Sequence, residues 1–303
     1  MIEKELAIIG GGAAGSSAAI YADRSNIDSI IVTEEFGGQL MLTKKIENYL
    51  GVPEASGADL SSKFEEHVKK YDVDIEKSRV EKVVKKEDSY LLRTESDDIK
   101  AKSVIVATGT KARKLDVPGE EEFNNKGIAY CAVCDGPLYQ DEEVAIIGGG
   151  YAGTEAALYM SDIAEKVYLI NYNGELSGEP ITLEKIPEKD NIELIGNADT
   201  QKFFGGEFLE GLRYEDRETG EEEELEVSAA FIEIGRIPNS KIVDFVEKNE
   251  RGKILTDEKQ ATSEPGVFAA GDVSDIPKEQ AIVAAGQGTV ASLEAKKYLQ
   301  ENL

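Results

Sequence analysis

The chain reads as an α/β protein of two domains, each built on a parallel sheet, and three observations carry that reading. Its 303 residues suit about two domains at ~100–200 residues each, and 41% hydrophobic side chains can fill two cores. A glycine-rich stretch occurs twice: residues 7–22, AIIGGGAAGSSAAIYA, and residues 145–160, AIIGGGYAGTEAALYM, agree at 11 of 16 positions and lie 138 residues apart. That spacing is far too long for a solenoid and fits a repeated domain. Each copy passes from a short apolar run through G-x-G-x-x-G into an Ala-rich helical pattern, the strand, turn and helix of a parallel βαβ unit.

The glycines of each copy, Gly10, Gly12, Gly15 and Gly148, Gly150, Gly153, have separate tasks. The first makes the tight turn, the second lets backbone approach a pyrophosphate, and the third lets the helix pack on the strand. Unpaired N–H groups at the helix start, Ala13 and Ala14 in the first copy, then face the phosphates with the positive end of the helix dipole. An acid is expected ~20 residues on, at the end of the next strand, to hold ribose hydroxyls. In the first copy Ser29-Ile30-Ile31-Val32-Thr33 leads into Glu34 and Glu35, either of which suits an adenosine without a 2′-phosphate. In the second, Lys166-Val167-Tyr168-Leu169-Ile170 ends at Asn171, followed by Tyr172, Asn173, Gly174 and Glu175, with no such acid and no arginine for a 2′-phosphate. An ordinary polar turn is an equally good reading of that loop.

Between the copies, residues 58–71 predict an amphipathic helix with Leu60, Phe64 and Val68 on one face and His67 beside it among charges. Alternation over 80–84 and 90–94 predicts short strands, and Ser103-Val104-Ile105-Val106-Ala107 a buried one that ends at Thr108-Gly109. Pro118-Gly119 followed by three glutamates marks a charged, turn-rich boundary. Beyond the second copy, residues 205–226 predict an exposed hairpin in which Glu221 to Glu224 form a solvated turn without a catalytic part. Residues 229–235 and 266–272 read as buried strands, the latter closing on Gly271-Asp272 before a final helix that includes Ala281, Val283, Ala284 and Leu293.

With 34 basic and 60 acidic side chains the formal net charge is −26, which argues against a surface built to neutralise nucleic-acid phosphates or to lie on an anionic membrane. No stretch reaches the ~20 apolar residues needed to span a bilayer. Met1-Ile2-Glu3-Lys4-Glu5 runs directly into the first apolar run, so no signal or transit peptide is expected and the expected compartment is the cytoplasm. The two cysteines, Cys131 and Cys134, cannot staple a secreted scaffold, and with His67 distant they fall short of a zinc ligand set. Two thiols three apart at a helix start can instead close a small disulfide, with the helix dipole lowering a thiol pKa. The alternatives are two small core residues, or a thioredoxin-like domain, whose usual flanking tryptophan is absent from a chain that has none.

These residues together resemble the low-molecular-weight thioredoxin reductases, flavoproteins of the class II pyridine nucleotide-disulfide oxidoreductases. The resemblance spans nearly the whole chain: residues 10–15, Gly37-Gly38-Gln39-Leu40, Glu47-Asn48-Tyr49, Ala107-Thr108-Gly109, residues 131–136, 148–153, Gly235-Arg236-Ile237-Pro238-Asn239, Gly271-Asp272-Val273 and Gln280-Ala281. It implies two Rossmann-like, three-layer ββα/βαβ dinucleotide-binding domains, the second inserted in the first. Residues 1–114 and 240–303 would form the FAD-binding domain, and 115–239 a pyridine-nucleotide-like domain carrying the dithiol. By the same resemblance Gly10, Gly12 and Gly15 take the FAD pyrophosphate, with Glu34 or Glu35 near the adenosine. Gln39 and Asn48 approach the flavin, Asp272 the ribityl chain, and Gln280 and Ala281 the isoalloxazine edge, with Ala13, Ala14, Gly38, Leu40, Thr108, Gly109 and Gly271 also binding the cofactor. Cys134 would receive electrons from flavin, Cys131 would attack the partner disulfide, and Asp135 would donate and accept protons. The implied partner is a thioredoxin or glutaredoxin-like protein, and the implied assembly a homodimer with a hinge between its domains.

Members that use NADPH carry a basic His-Arg-Arg type segment where Asn171-Tyr172-Asn173 stands here, with Glu175 and Glu179 following. An acid facing a 2′-phosphate is repulsive even through solvent. NAD(P)H is thus the disfavoured donor, and reduced ferredoxin or a reduced deazaflavin, used by members without the basic segment, the expected one. A flavin dithiol oxidase passing electrons to oxygen shares every motif, as does a redox sensor that binds FAD without turnover. The ferredoxin–nucleotide reductase lineage shares the fold without the cysteine pair.

The charge of −26 also suggests adaptation to salt, because ~1 M salt shortens the Debye length to about 3 Å and relieves acidic self-repulsion. The expected outcome is a melting temperature that rises between low and molar NaCl; a flat profile would remove the idea.

Overall fold

The strand Ile2–Gly11 organises the first half of the molecule, and its side chains alternate between two cores. Leu6 and Ile8 point to one face of the sheet with Ile31 and Ile105, where they pack under Ala18, Ala22, Val68 and Ala291 of three helices. Ala7 and Ile9 point to the other face with Ile30, Val32, Val104 and Val106, against Val83, Leu92, Val243 and Val246. Leu6, Ile8 and Ile105 are fully buried, each side chain contributing roughly 1.5–3 kcal/mol by leaving water. Apolar residues on both faces are what a parallel sheet covered on two sides requires.

A computed structural model describes the chain apart from residues 43–45, 47, 277 and 303 and the side chains of Leu42 and Cys134. It divides into two compact units, one of residues 1–111 and 237–303, the other of residues 112–236. In the first, the sheet runs in the order Asp74–Glu76, Ser29–Phe36, Ile2–Gly11, Ile99–Val106, Tyr90–Thr94, Val80–Lys85, and Val267–Ala269 also pairs with Ile99–Val106. The pairs joining Ile2–Gly11 to Ser29–Phe36 and to Ile99–Val106 are parallel, and so is that of Val267–Ala269. The two strands at the far edge are antiparallel. Helices Ala13–Arg24, Gly57–Val68 and Ala281–Asn302 supply the helical layer. The amphipathic helix ends at Val68, three residues before the expected limit at 71, with His67 exposed and its ring 5.8 Å from that of Tyr71.

The second unit repeats the scheme. Its parallel sheet has the order Ile192–Ile195, Lys166–Ile170, Glu143–Ile147, Ala229–Ile232, Ile128–Ala129. Val144, Ile146 and Leu169 pack beneath helix Tyr151–Ser161 with Met160, while Ala145, Ile147 and Ile170 face Phe203, Leu212 and Tyr214 of a three-stranded antiparallel sheet. That sheet, Ala198–Gly205, Leu209–Asp216 and Glu222–Glu226, corrects the expectation of a solvated turn at Glu221 to Glu224. Most of the acidic run is an exposed edge strand, in which Arg213 bridges Glu222 at 3.0 Å and Glu224 at 2.7 Å. The charge makes the edge soluble and resistant to further pairing. Among the described residues no helix is long and apolar enough to cross a membrane.

The last helix crosses the first closely enough that a Cβ on Gly288 would lie 2.0 Å from the Ala14 carbonyl oxygen, whereas one on Gly286 would meet nothing within 4 Å. Gly288→Ala is therefore expected to cost about 1–3 kcal/mol through forced separation of backbones. Gly286→Ala is expected to stabilise by about 0.5–1 kcal/mol through helix propensity. Thermal melts of the two variants test this; shifts of equal sign would refute the close contact.

Candidate functional site

In the first unit the chain turns at Gly10 with φ +109°, where a Cβ would lie 2.4 Å from the Ala107 carbonyl oxygen. A Cβ on Gly15 would lie 1.8 Å from the Gly10 carbonyl oxygen, so only glycine lets the helix approach the strand this far. Gly12 differs from both, because a Cβ there would meet nothing within 4 Å. It is the N-cap of helix Ala13–Arg24 and no side chain caps that end, so the amides at the helix start face open space from a cradle of bare backbone. Ala13 and Ala14 are buried in this first turn. Glu34 and Glu35 are exposed near the end of Ser29–Phe36, and the Gly37 N–H donates to the Gly11 carbonyl at 2.9 Å to close the loop beside them.

Residues far apart in sequence meet across this unit. Gln39, in the 3-10 turn Gly38–Leu42 that also holds the half-buried Leu40, donates through Nε2 to Asp272 Oδ2 at 3.2 Å and to Thr110 Oγ1 at 2.8 Å. Asn48 Nδ2 donates to Gln280 Oε1 at 3.1 Å, across 232 residues. Ala281 follows as the first residue of the last helix. Thr108 and Asn239 exchange two hydrogen bonds of 2.9 Å, Thr108 Oγ1 to the Asn239 carbonyl and Asn239 Nδ2 to the Thr108 carbonyl. Gly109 has φ +62°, and a Cβ there would lie 3.9 Å from Gln39 Nε2. Gly271, with φ +78°, would place a Cβ 3.2 Å from that of Ala14, which brings the Gly271-Asp272 turn to the glycine turn. The structure thus gathers Gly12, Ala14, Gln39, Thr108, Gly109, Gly271 and Asp272 on one side of the sheet's end, with Asn48 and Gln280 paired to one another. Glu47 lies outside the described residues.

The second unit holds both cysteines. Cys131 is disulfide-bonded and is the N-cap of the four-residue helix Ala132–Asp135, with φ −151° and ψ 98°. The Asp135 N–H donates to the Cys131 carbonyl at 3.1 Å, and the 3-10 turn Gly136–Tyr139 follows. Asp135 is half-buried, and the side chain of Cys134 lies outside the described residues. One acid here was missed from sequence. Glu233, just after strand Ala229–Ile232, accepts the Ala132 N–H at 3.3 Å. Burial pushes its carboxyl up from the ordinary value, while the Ala132 amide and Arg236 pull it partly back. As pH rises the unfolded chain releases this proton first. The carboxyl's contribution to stability is complete below the ordinary glutamate range and is lost as pH climbs through the raised folded value. The signal available in sequence was a single acid in the apolar run Phe231-Ile232-Glu233-Ile234.

The second glycine turn matches the first. A Cβ on Gly153 would lie 1.7 Å from the Gly148 carbonyl oxygen, and one on Gly150 would meet nothing within 4 Å. At the neighbouring strand end Asn171 is buried against Gly149 and donates through Nδ2 to the Glu175 carbonyl at 2.8 Å, so it braces its own loop. Glu175 and Glu179 are exposed. The expectation that no arginine serves this strand end needs correction. Arg217, 45 residues further on, donates to the Tyr172 carbonyl at 2.8 Å and places its guanidinium 3.8 Å from the centre of the exposed Tyr172 ring. It arrives from the turn after Leu209–Asp216, which no local spacing rule anticipates.

Comparison with known proteins agrees with this geometry. The chain is 41% identical over 300 residues to a Bacillus subtilis protein named NADH dehydrogenase, covering 98% of this chain and 59% of that protein. It is 42% identical over 301 residues to an alkyl hydroperoxide reductase component of Pseudomonas putida, covering 97% and 58%. The chain therefore spans just under three fifths of these relatives. Among solved structures, Lactococcus lactis thioredoxin reductase superposes with a TM-score of 0.81 at 33% identity, covering 98% of this chain and 99% of that one. A ferredoxin-flavin thioredoxin reductase from Clostridium acetobutylicum gives 0.56 at 34% identity, covering 99% of each. The two-domain Rossmann-type fold of the thioredoxin reductases is the fold of this protein. Residues 4–288 match the family model of the pyridine nucleotide-disulphide oxidoreductases, and the chain belongs to that family.

Proposed function

We propose that this protein is an FAD-dependent reductase of protein disulfides, acting on a thioredoxin or glutaredoxin-like partner through Cys131 and Cys134. The observation that carries the reading is the disulfide-bonded Cys131 at the head of a helical turn, in a chain with only two cysteines. FAD fits the first unit because Gly12 leaves its backbone cradle open where a Cβ would otherwise stand, at an uncapped helix end. Gly10, Gly12, Ala13, Ala14 and Gly15 would hold the pyrophosphate and Glu34 or Glu35 the adenosine ribose. Gln39, Leu40, Asn48, Thr108, Gly109, Asp272, Gln280 and Ala281 would surround the remainder. When bound, FAD supplies the two-electron relay between an external donor and the dithiol.

The protein's own residues account for the exchange with the partner. The Cys131 thiolate attacks one sulfur of the partner disulfide, and the partner's other sulfur leaves as a thiolate that takes up a proton. Cys134 then attacks Cys131 in the mixed disulfide, which releases the second partner thiol and restores the internal disulfide. Asp135, at the end of the same four-residue helix, is the group that holds and returns protons. Cys134→Ser is expected to keep the flavin spectrum and lose reduction of a thioredoxin disulfide; normal turnover by that variant would exclude the assignment.

For the donor, exposed Glu175 and Glu179 beside the second glycine turn weigh against a 2′-phosphate, and Arg217 at this strand end already commits its guanidinium to the Tyr172 carbonyl and ring. Reduced ferredoxin or a reduced deazaflavin is the donor this reading favours, in keeping with the similarity to a ferredoxin-flavin thioredoxin reductase. NADH is the second reading, supported by the relative named NADH dehydrogenase and by the open turn at Gly150. Anaerobic bleaching of the flavin with NADPH, NADH, reduced ferredoxin and reduced deazaflavin in turn distinguishes them. NADPH is expected to be the poorest of the four, and rapid bleaching by micromolar NADPH would overturn the donor assignment.

A further inference from the structure

A half-buried carboxyl beside the cysteine pair has no part in the exchange described above. Glu233 is held after strand Ala229–Ile232, where its own N–H donates to the Ile147 carbonyl at 2.8 Å and its carbonyl packs on Gly148. Its backbone is thereby fixed by the second glycine turn. Its carboxylate Oε1 accepts the N–H of Ala132 at 3.3 Å, the first amide after Cys131. We propose that Glu233 is a positioning residue for the dithiol: it anchors that amide and places a like charge beside the thiolate that forms at Cys131. The proposal rests on the disulfide-reductase reading above.

One physical effect follows from the contact. A carboxylate held on the first amide after Cys131 disfavours the thiolate by charge repulsion, and the half-burial of both residues weakens solvent screening between them. The titratable and charged groups on the segments packed around Glu233 are Cys131 and Asp135 on the short helix, Tyr130 after strand Ile128–Ala129, and Arg236 on its own segment. The Tyr130 hydroxyl donates to Glu120 at 2.8 Å, and Arg236 is the charge that acts on Glu233. Glu233 therefore holds Cys131 as a thiol longer than the motif alone would, which protects the reduced enzyme from indiscriminate alkylation and oxidation.

The test is the pH dependence of Cys131 alkylation by iodoacetamide in the full-length reduced protein carrying Cys134→Ser, with the modified residue identified by mass spectrometry. Glu233→Gln keeps an oxygen for the Ala132 amide and removes the charge, and it is expected to lower the midpoint by about 0.5–1 pH unit. Glu233→Ala removes the charge and the hydrogen bond together and is expected to lower it by a similar amount. A midpoint unchanged or raised in Glu233→Gln would overturn the proposal, including the case where Glu233→Ala alone shifts, which would mark a packing role only. The titration needs no electron donor and no partner. Its failure would leave disulfide reduction standing, and loss of disulfide reduction would leave the titration interpretable.

Discussion

The contact on which each half of the molecule depends is the seat of a helix on a strand at a glycine. Where Gly15 meets the Gly10 carbonyl, and Gly153 the Gly148 carbonyl, a Cβ would stand at 1.8 and 1.7 Å from oxygen, closer than any side chain tolerates. That closeness aims the helix N-terminus at the end of the parallel sheet, where N–H groups without intrahelical partners converge with the positive end of the dipole. The strand ends that carry Glu34 and Asn171, the returning turn at Gly271, and the segment bearing Glu233 all lie next to one of the two glycine turns.

The first unit is completed only when the chain returns to it. Its cradle is made by the first fifteen residues, yet Asp272 and Gln280 meet Gln39 and Asn48 across 233 and 232 residues. Gly288 in the last helix lies on Ala14 in the first, and Ser17 and Thr289 share a hydrogen bond of 2.8 Å. Ordering residues so distant costs loop entropy, and the buried apolar faces of the sheet and helices offset it. The middle of the chain can then fold as its own unit, with its own sheet and two cores.

The second unit uses the same frame for a different chemistry. Its short strand Ile128–Ala129 delivers Cys131 to the head of a four-residue helix, and the neighbouring parallel strand delivers Glu233 to the amide behind it. A partly buried carboxyl at that place is costly unless bonded, and its bonding partner is the backbone amide of Ala132, next to Cys131. Sequence-distant side chains also converge further along the same edge of this sheet, where Arg217 covers Tyr172 and gives the strand end a cation that the loop lacks.

Much of this was legible in sequence because it depends on local rules. The duplicated glycine fingerprint, the period-two strands around it and the isolated cysteine pair follow from steric and periodic demands that act within a dozen residues. The glycine positions, the parallel sheets and the head-of-helix place of Cys131 are accordingly where those rules put them. The acidic run at Glu221 to Glu224 was misread as a turn because charge resembles solvent exposure, and an edge strand is exposed too. Glu233 and Arg217 were beyond reach for another reason: their roles come from pairing between strands and turns 101 and 45 residues from their partners. Sequence by itself determined which backbone stretches must turn, stack and carry thiols. Only the tertiary structure decided which charged side chains stand beside them, because that choice is made by long-range strand register, which no local pattern encodes.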